Sequence, residues 1–430
     1  MKTIILSLIA VALCASARAQ QGSTQATEAD RAVFAPLGPT PAYTLKEAAK
    51  AALSNGLALS LIESHRLPLV ALTLIVPQAG DATDPVGREG LSDFMAAMSK
   101  EGVARLTTAA ALSDAIDDIG ASIEIATGDS GLAVSVLVLK ENLDKAMHLV
   151  SLMVRKPAYL SEAPEYTQAL ERMRQRSLAG LEMEKGNPEA LAGKRLSSSL
   201  FGDGPHGRRQ TQESVQAITL RDIAQRQRSA VAPNGAVLAA AGDITLEELK
   251  ALAGKNFGSW TPSQAPAVAA PHAALVVATI PQAPGLVIEL IDLPGEQAEM
   301  MLGSRPLPRL HPDHDALSLA VLVLGGPMLG RLDQNIRETH SWAYGARASM
   351  KAWKDDGAVT MSTKVQLDKT GDALREILAE VKRLSDAPVP DAELLAAKTY
   401  IKGGYLRSTR TMADLSSRLA AAETLGLPAS

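Results

Sequence analysis

Residues 324–346 read LGGPMLGRLDQNIRETHSWAYGA. The stretch opens on a Gly325-Gly326 turn, runs on as a helix ending near Glu338, and breaks at Thr339–Ser341. An extended run begins again at Trp342. A guanidinium, Arg337, therefore sits at a helix end, and a phenol, Tyr344, at a strand start seven residues later. A helix that feeds straight into a strand belongs to a fold of mixed α and β layers, and the flanking sequence repeats the alternation.

Working outward, strands are expected at Trp342–Met350 and Ala358–Val365, then helices over Gly371–Leu384, Asp391–Leu406 and from Met412. Upstream lie a helix at Pro312–Leu324 and two apolar runs, Leu286–Asp292 and Ala274–Thr279, read as strands. The Pro/Ala-rich segment Trp260–His272 has no periodicity and reads as a linker. Before it the same order appears once already. Strands at Leu57–Glu63 and Leu69–Val76 precede helices at Leu91–Lys100 and Ala109–Ile119. A hairpin turning at Gly128–Gly131 follows, and then a block of helices. The expectation is α+β: two similar domains, each a mainly antiparallel sheet with helices packed on one face. Their bounds are 44–259 and 274–430, joined by a linker at 260–273. The first domain ends in helix, strand, turn and helix (Thr219–Lys255), for which the second has no counterpart. The second domain reads as truncated, or as leaving a sheet edge uncovered.

Composition narrows the function. The chain has 430 residues, 46% hydrophobic and 21% charged, with a net charge of -4. That is enough apolar material for two or three cores, and there is no basic footprint for nucleic acid. Lys2, the apolar run Ile4–Ala15 and the small-x-small triplet Ala17-Arg18-Ala19 read as a cleavable signal peptide, residues 1–19, before a flexible leader at 20–43. The single cysteine, Cys14, lies within that signal, so no disulfide or thiolate chemistry is expected. No later run reaches the roughly 18 apolar residues of a membrane helix. The expectation is a periplasmic protein without a membrane anchor.

At this point the order of several short motifs carries a resemblance. Gly90-Leu91 precedes the first helix, and Gly242-Asp243 is followed by Phe257-Gly258-x-Trp260. Further on stand Asp292-x-Pro294-Gly295-x-Gln297, Gly325-Gly326, Arg337-Glu338 and Ala343-Tyr344-Gly345. In this order the chain resembles the pitrilysin/insulinase/mitochondrial-processing-peptidase superfamily of zinc peptidases. Members of that family carry an inverted zinc motif, His-x-x-Glu-His, on the first helix, in which two His bind the metal and the Glu activates its water. The matching positions here hold Asp93, Ala96 and Ala97. The third ligand is a Glu downstream, and the matching neighbourhood reads Glu171-Arg172-Met173-Arg174-Gln175-Arg176. The resemblance also implies an Arg and a Tyr facing the active-site chamber, and these match Arg337 and Tyr344. Arg offers a fork of donors to a substrate carbonyl or carboxylate, and Tyr can donate to the oxyanion. Some bacterial relatives divide the two halves of the site between two chains, and this sequence looks like the chain without the metal.

The resemblance therefore implies a catalytically incomplete subunit of a heterodimeric zinc peptidase. It would hold no cofactor itself, with Zn²⁺ in a zinc-motif-bearing partner and a peptide or unfolded polypeptide as substrate. Arg337 and Tyr344 would act in trans, with His340 a weaker candidate to line the same chamber. The alternative is a non-catalytic scaffolding or peptide-binding homologue. Other features have plainer readings. Gly128-Asp129-Ser130-Gly131 is a hairpin turn and not a serine-protease nucleophile loop, Gly325–Gly330 lacks the ending of a phosphate loop, and His311-Pro312-Asp313-His314 is a helix start. The run Arg172, Arg174 and Arg176 reads as a solvated helix face.

Overall fold

Eight apolar or β-branched residues, Leu69–Val76, form the strand around which the first half is built; seven of the eight are buried. The computed structural model describes residues 46–262, 286–327, 330–354 and 356–427. The expected signal peptide, the leader, most of the linker and the strand at Ala274–Thr279 lie outside those residues. The first sheet contains β1 (Ala49–Ala52), β2 (Ala58–Glu63), β3 (Leu69–Val76), β4 (Ser122–Gly128), β5 (Gly131–Leu139) and β6 (Val237–Gly242), in the order β1-β2-β6-β3-β5-β4. Only the β2–β6 pair is parallel. That pair needs a crossover, and the long helical excursion between the two strands supplies it.

The helices of this half are α1 (Leu91–Met98), α2 (Ala109–Asp117), α3 (Leu143–Arg155), α4 (Pro164–Glu184), α5 (Pro188–Phe201), α6 (Gln212–Ala217), α7 (Leu220–Ala230) and α8 (Leu246–Phe257). Alternation sends Leu59, Leu61, Leu72 and Leu74 to one face of the sheet, where they join Met95, Met98, Met147 and Met153 in one core. Each such aliphatic side chain contributes roughly 1.5–3 kcal/mol by leaving water. Thr211, Thr219 and Thr245 start α6, α7 and α8 with reciprocal capping boxes, which fixes where those helices begin.

The second half has β7 (Gln297–Ser304), β8 (Ala343–Ala352) and β9 (Gly357–Gln366), ordered β7-β9-β8 and antiparallel throughout. Its helices are α9 (His314–Gly325), α10 (Arg331–Asp333, continuing as a π-turn over Gln334–Thr339), α11 (Thr370–Asp386), α12 (Asp391–Arg407) and α13 (Met412–Leu425). The core gathers Leu324, Leu332, Ile336, Ala346, Met361, Val365 and Ile377. The fold class is α+β, as expected. Two details differ from expectation. Residues 286–292 belong to no strand among the described residues, and Leu290 is 91% exposed. The strand falls instead on Gln297–Ser304, whose Gln, Glu and two Met disguise it from any reading by apolar alternation.

The halves also exchange a helix. α13, from the second half, lies on β2, β3 and β6 of the first sheet. Ser416 meets Thr73 at 3.0 Å and Glu423 accepts from Ser60 at 3.4 Å. Thr73 alternates with Leu72 and Leu74, so α13 covers the face opposite the other helices. Conversely α5, from the first half, packs on β7.

Candidate functional site

Asp333, buried at the end of α10, organises the stretch around Arg337 and Tyr344. Its Oδ2 receives the Arg337 guanidinium at 2.8 Å, and its Oδ1 accepts from the Ala346 amide at 3.2 Å. One carboxylate thus ties the π-turn to β8. Between them Ser341 turns the chain with a left-handed φ of 54°, an uncommon conformation for a residue with a Cβ. The Trp342 amide then donates to Ile336 O at 3.0 Å. The β8–β9 register shifts between Ala343 and Ala346, so Tyr344 and Gly345 sit in an irregularity of the strand. Bulges of this kind re-aim side chains, and the Tyr344 ring is 95% exposed.

Arg337 is held but not saturated. A second ion pair joins it to Glu338 at 2.6 Å, its side chain is 39% exposed, and its Nε is buried with no acceptor among the described residues. The π-turn itself is fixed from below. Asn335 donates to Glu376 and Glu380 of α11, each at 2.8 Å. His340 stacks on Trp342 with ring centroids 4.0 Å apart and is half-buried.

The helix that would carry the metal is equally well placed and chemically different. On α1, Ala96 is buried and Ala97 half-buried, and neither has a ligating atom. Both Asp93 oxygens are occupied: Thr127 donates to Oδ1, and Gln210 Nε2 to Oδ2 at 2.7 Å. Gln210 in turn accepts from Ser177 of α4 at 3.1 Å. A chain of hydrogen bonds through the Asp93 carboxylate therefore joins α4, α1 and β4 where a metal would need His and Glu donors. No group of three His, Cys, Asp or Glu among the described residues is arranged to hold a metal ion. The residues present do not fit zinc. Asp81 lies beside this cluster, and its carboxyl is pushed up to about 6 by burial and then by the charge of Asp93, with Asp84 and Asp129 adding to it and Thr127 opposing.

Residues 217–401 match the family model described as the peptidase M16 inactive domain. Over those residues the chain is similar to the M16 peptidase family. It is 27% identical over 318 residues to an uncharacterized zinc protease of Mycobacterium leprae, covering 74% of this chain and 69% of that protein. It is 25% identical over 364 residues to the non-peptidase homolog YmxG of Helicobacter pylori, covering 83% and 79%. Its fold is that of a peptidase M16 inactive domain from Pseudomonas fluorescens, with a TM-score of 0.76 at 22% identity over 90% of this chain and 89% of the other.

Sequence reading missed the residues that hold others in place. Asp333 precedes Arg337 by one helical turn, and that i, i+4 spacing was the available signal. The Arg run needs correction. Arg172 reaches Glu101 at 3.1 Å, but Arg174 is only 19% exposed and donates to Ile218 O at 2.7 Å, tying α4 to the α6–α7 connection. The solvated-face reading fails there because a long side chain on an outer face can still cap a neighbouring carbonyl. The Gly128–Gly131 turn closes the β4–β5 hairpin, with Asp129 paired to Lys351 of β8. His314 meets Arg309 and Asp315, each at 3.0 Å.

Proposed function

We propose that this inactive M16 chain is the metal-free subunit of a heterodimeric periplasmic zinc peptidase, and that it supplies Arg337 and Tyr344 to peptide hydrolysis in trans. The observation that carries the reading is Tyr344. A nearly fully exposed phenol, on a strand irregularity and tied through Asp333 to a half-exposed guanidinium with a buried orphan donor, suits a surface that another chain closes over. Zn²⁺, its ligands and the general base belong to the partner. Arg337 grips a backbone carbonyl or terminal carboxylate of the peptide with its planar fork. The Tyr344 hydroxyl donates to the oxyanion as the tetrahedral intermediate forms. His340, stacked beside the π-turn, lines the same mouth. The N-terminal signal motif supports export, and no described helix is long and apolar enough to cross a membrane.

Similarity to a homologue named as a non-peptidase favours a second reading, a scaffolding or peptide-binding subunit with no part in hydrolysis. Metal analysis and a peptide assay separate the two. The purified chain should take up no stoichiometric zinc and hydrolyse nothing alone. A zinc-motif-bearing homologue should cleave peptide faster with it than without it. Equal rates with and without this chain select the scaffold.

A further inference from the structure

Two polar side chains interrupt the apolar layer between α10 and the second sheet. On β9 the inward row runs Val359, Met361, Thr363, Val365, all buried, so Thr363 adds a hydroxyl to a row of apolar side chains. On α10 Asp333 follows Leu332 and precedes Ile336, both members of the same core, and is itself only 6% exposed. Buried polar groups persist where hydrogen bonds satisfy them, and here the bonds have a common target. Thr363 Oγ1 donates to Gly345 O at 2.9 Å, and the Ala346 amide donates to Asp333 Oδ1 at 3.2 Å. That carbonyl and that amide belong to one peptide unit. It directly follows Tyr344, and it is clamped by side chains of two different elements.

The clamp acts where the strand ladder is interrupted. β8 pairs with β9 at Ala343–Val365 and again at Ala346–Thr363. Tyr344 and Gly345 therefore span the place that Lys364 alone spans on β9. A residue added to a strand leaves the local ladder unpaired, so its direction must be fixed from outside the ladder. β9 is also the only strand that pairs with β8 among the described residues. Asp333 does a second thing, since its Oδ2 holds the Arg337 guanidinium at 2.8 Å. One carboxylate thus orients both candidate residues, and one hydroxyl helps it with Tyr344.

We propose that Asp333 and Thr363 are positioning residues for hydrolysis in trans. Thr363 and Asp333 Oδ1 aim the Tyr344 phenol, and Asp333 Oδ2 aims the Arg337 guanidinium. This role rests on the catalytic reading of Tyr344 and Arg337 above, and it adds that neither reaches full effect without the buried clamp. A reacting group misplaced by about 1 Å can lower the rate on the order of 10²-fold. Thr363 and Asp333 are buried and do not themselves meet substrate. Loss of the Thr363 hydroxyl should therefore slow turnover and leave substrate binding nearly intact.

The test uses the complex with a zinc-motif-bearing homologue. Thr363→Val keeps the β-branched shape and removes the hydroxyl, whereas Thr363→Ser keeps the hydroxyl. The expected result is a kcat at least about tenfold lower for Thr363→Val, with KM within about twofold, and recovery of most of that loss in Thr363→Ser. Combined with Tyr344→Phe, Thr363→Val should lower kcat no further, a non-additivity that a general loss of structure would not produce. Asp333→Ala should lower kcat/KM more than Thr363→Val, because it releases Arg337 as well. In the chain alone, the Ala346 amide should exchange at least about tenfold faster in Asp333→Ala. An unchanged Ala346 exchange rate overturns the proposal. So does a full kcat for Thr363→Val in complexes that Tyr344→Phe impairs, or a loss that adds to that of Tyr344→Phe; in both cases the catalytic reading of Tyr344 stands. If Tyr344→Phe is itself silent, the catalytic reading fails and the positioning role falls with it.

Discussion

Asp333 shows how a single buried carboxylate can set up a surface. Removing it frees Arg337 from the ion pair at 2.8 Å and the Ala346 amide from its acceptor at 3.2 Å, so its loss acts on both candidate residues. In the first half Asp81 makes a pH prediction. The residue as a whole is exposed, although its carboxyl is partly withdrawn from water among Asp93, Asp84 and Asp129. Between pH 3.8 and about 6 the folded chain keeps a proton that the unfolded chain has released. Stability contributed by that proton is present below the window and lost as pH rises through it. Asp81→Asn should therefore stabilise above pH 6, by at most about 1 kcal/mol given solvent screening, and change little at pH 3.8. Urea midpoints of the two proteins across this range test it; a gain that persists unchanged at low pH contradicts it.

At the scale of elements, glycine explains the opening of the stretch that leads to Arg337. A Cβ on Gly325 would stand 2.1 Å from the Ala348 amide nitrogen, so α9 ends pressed against the β8 backbone. Gly325→Ala should cost on the order of 3 kcal/mol, because backbone cannot move aside as a side chain can. Gly254→Ala in α8, where a Cβ meets nothing within 4 Å, should instead gain up to about 1 kcal/mol. Denaturant unfolding of the pair checks both signs. The same scale shows what the sequence could disclose. The β4–β5 hairpin and the amphipathic helices were legible because one face of each is apolar at the right period. Residues 286–292 misled for a physical reason. They have a strand's composition, but a strand also needs a hydrogen-bonded neighbour, and none pairs with them among the described residues. β7 was hidden by the opposite fault, a paired strand with a polar and Met-rich sequence. Arg337 and Tyr344 were singled out as candidates through the family resemblance; the π-turn, the irregular strand and Asp333 depend on long-range pairing that spacing alone does not encode.

At the scale of the whole molecule, the exchanged helices make the halves interdependent. α13 closes the back of the first sheet and α5 lies on β7 of the second, so neither half can present its side of a site independently of the other. Where the family resemblance would place metal ligands the chain carries the Ser177–Gln210–Asp93–Thr127 hydrogen bonds, and the Tyr344 side of the stretch at Arg337–Tyr344 faces solvent. The most direct measurement of the proposed division of labour is kcat/KM for peptide hydrolysis by the complex with a zinc-motif-bearing homologue, comparing the unaltered chain with Arg337→Ala and Tyr344→Phe. Sedimentation confirms that each variant still assembles. We predict a fall of about 10²–10³-fold for Tyr344→Phe, the loss of one oxyanion donor, and a comparable fall for Arg337→Ala. An unchanged kcat/KM in intact complexes of both variants would contradict the account.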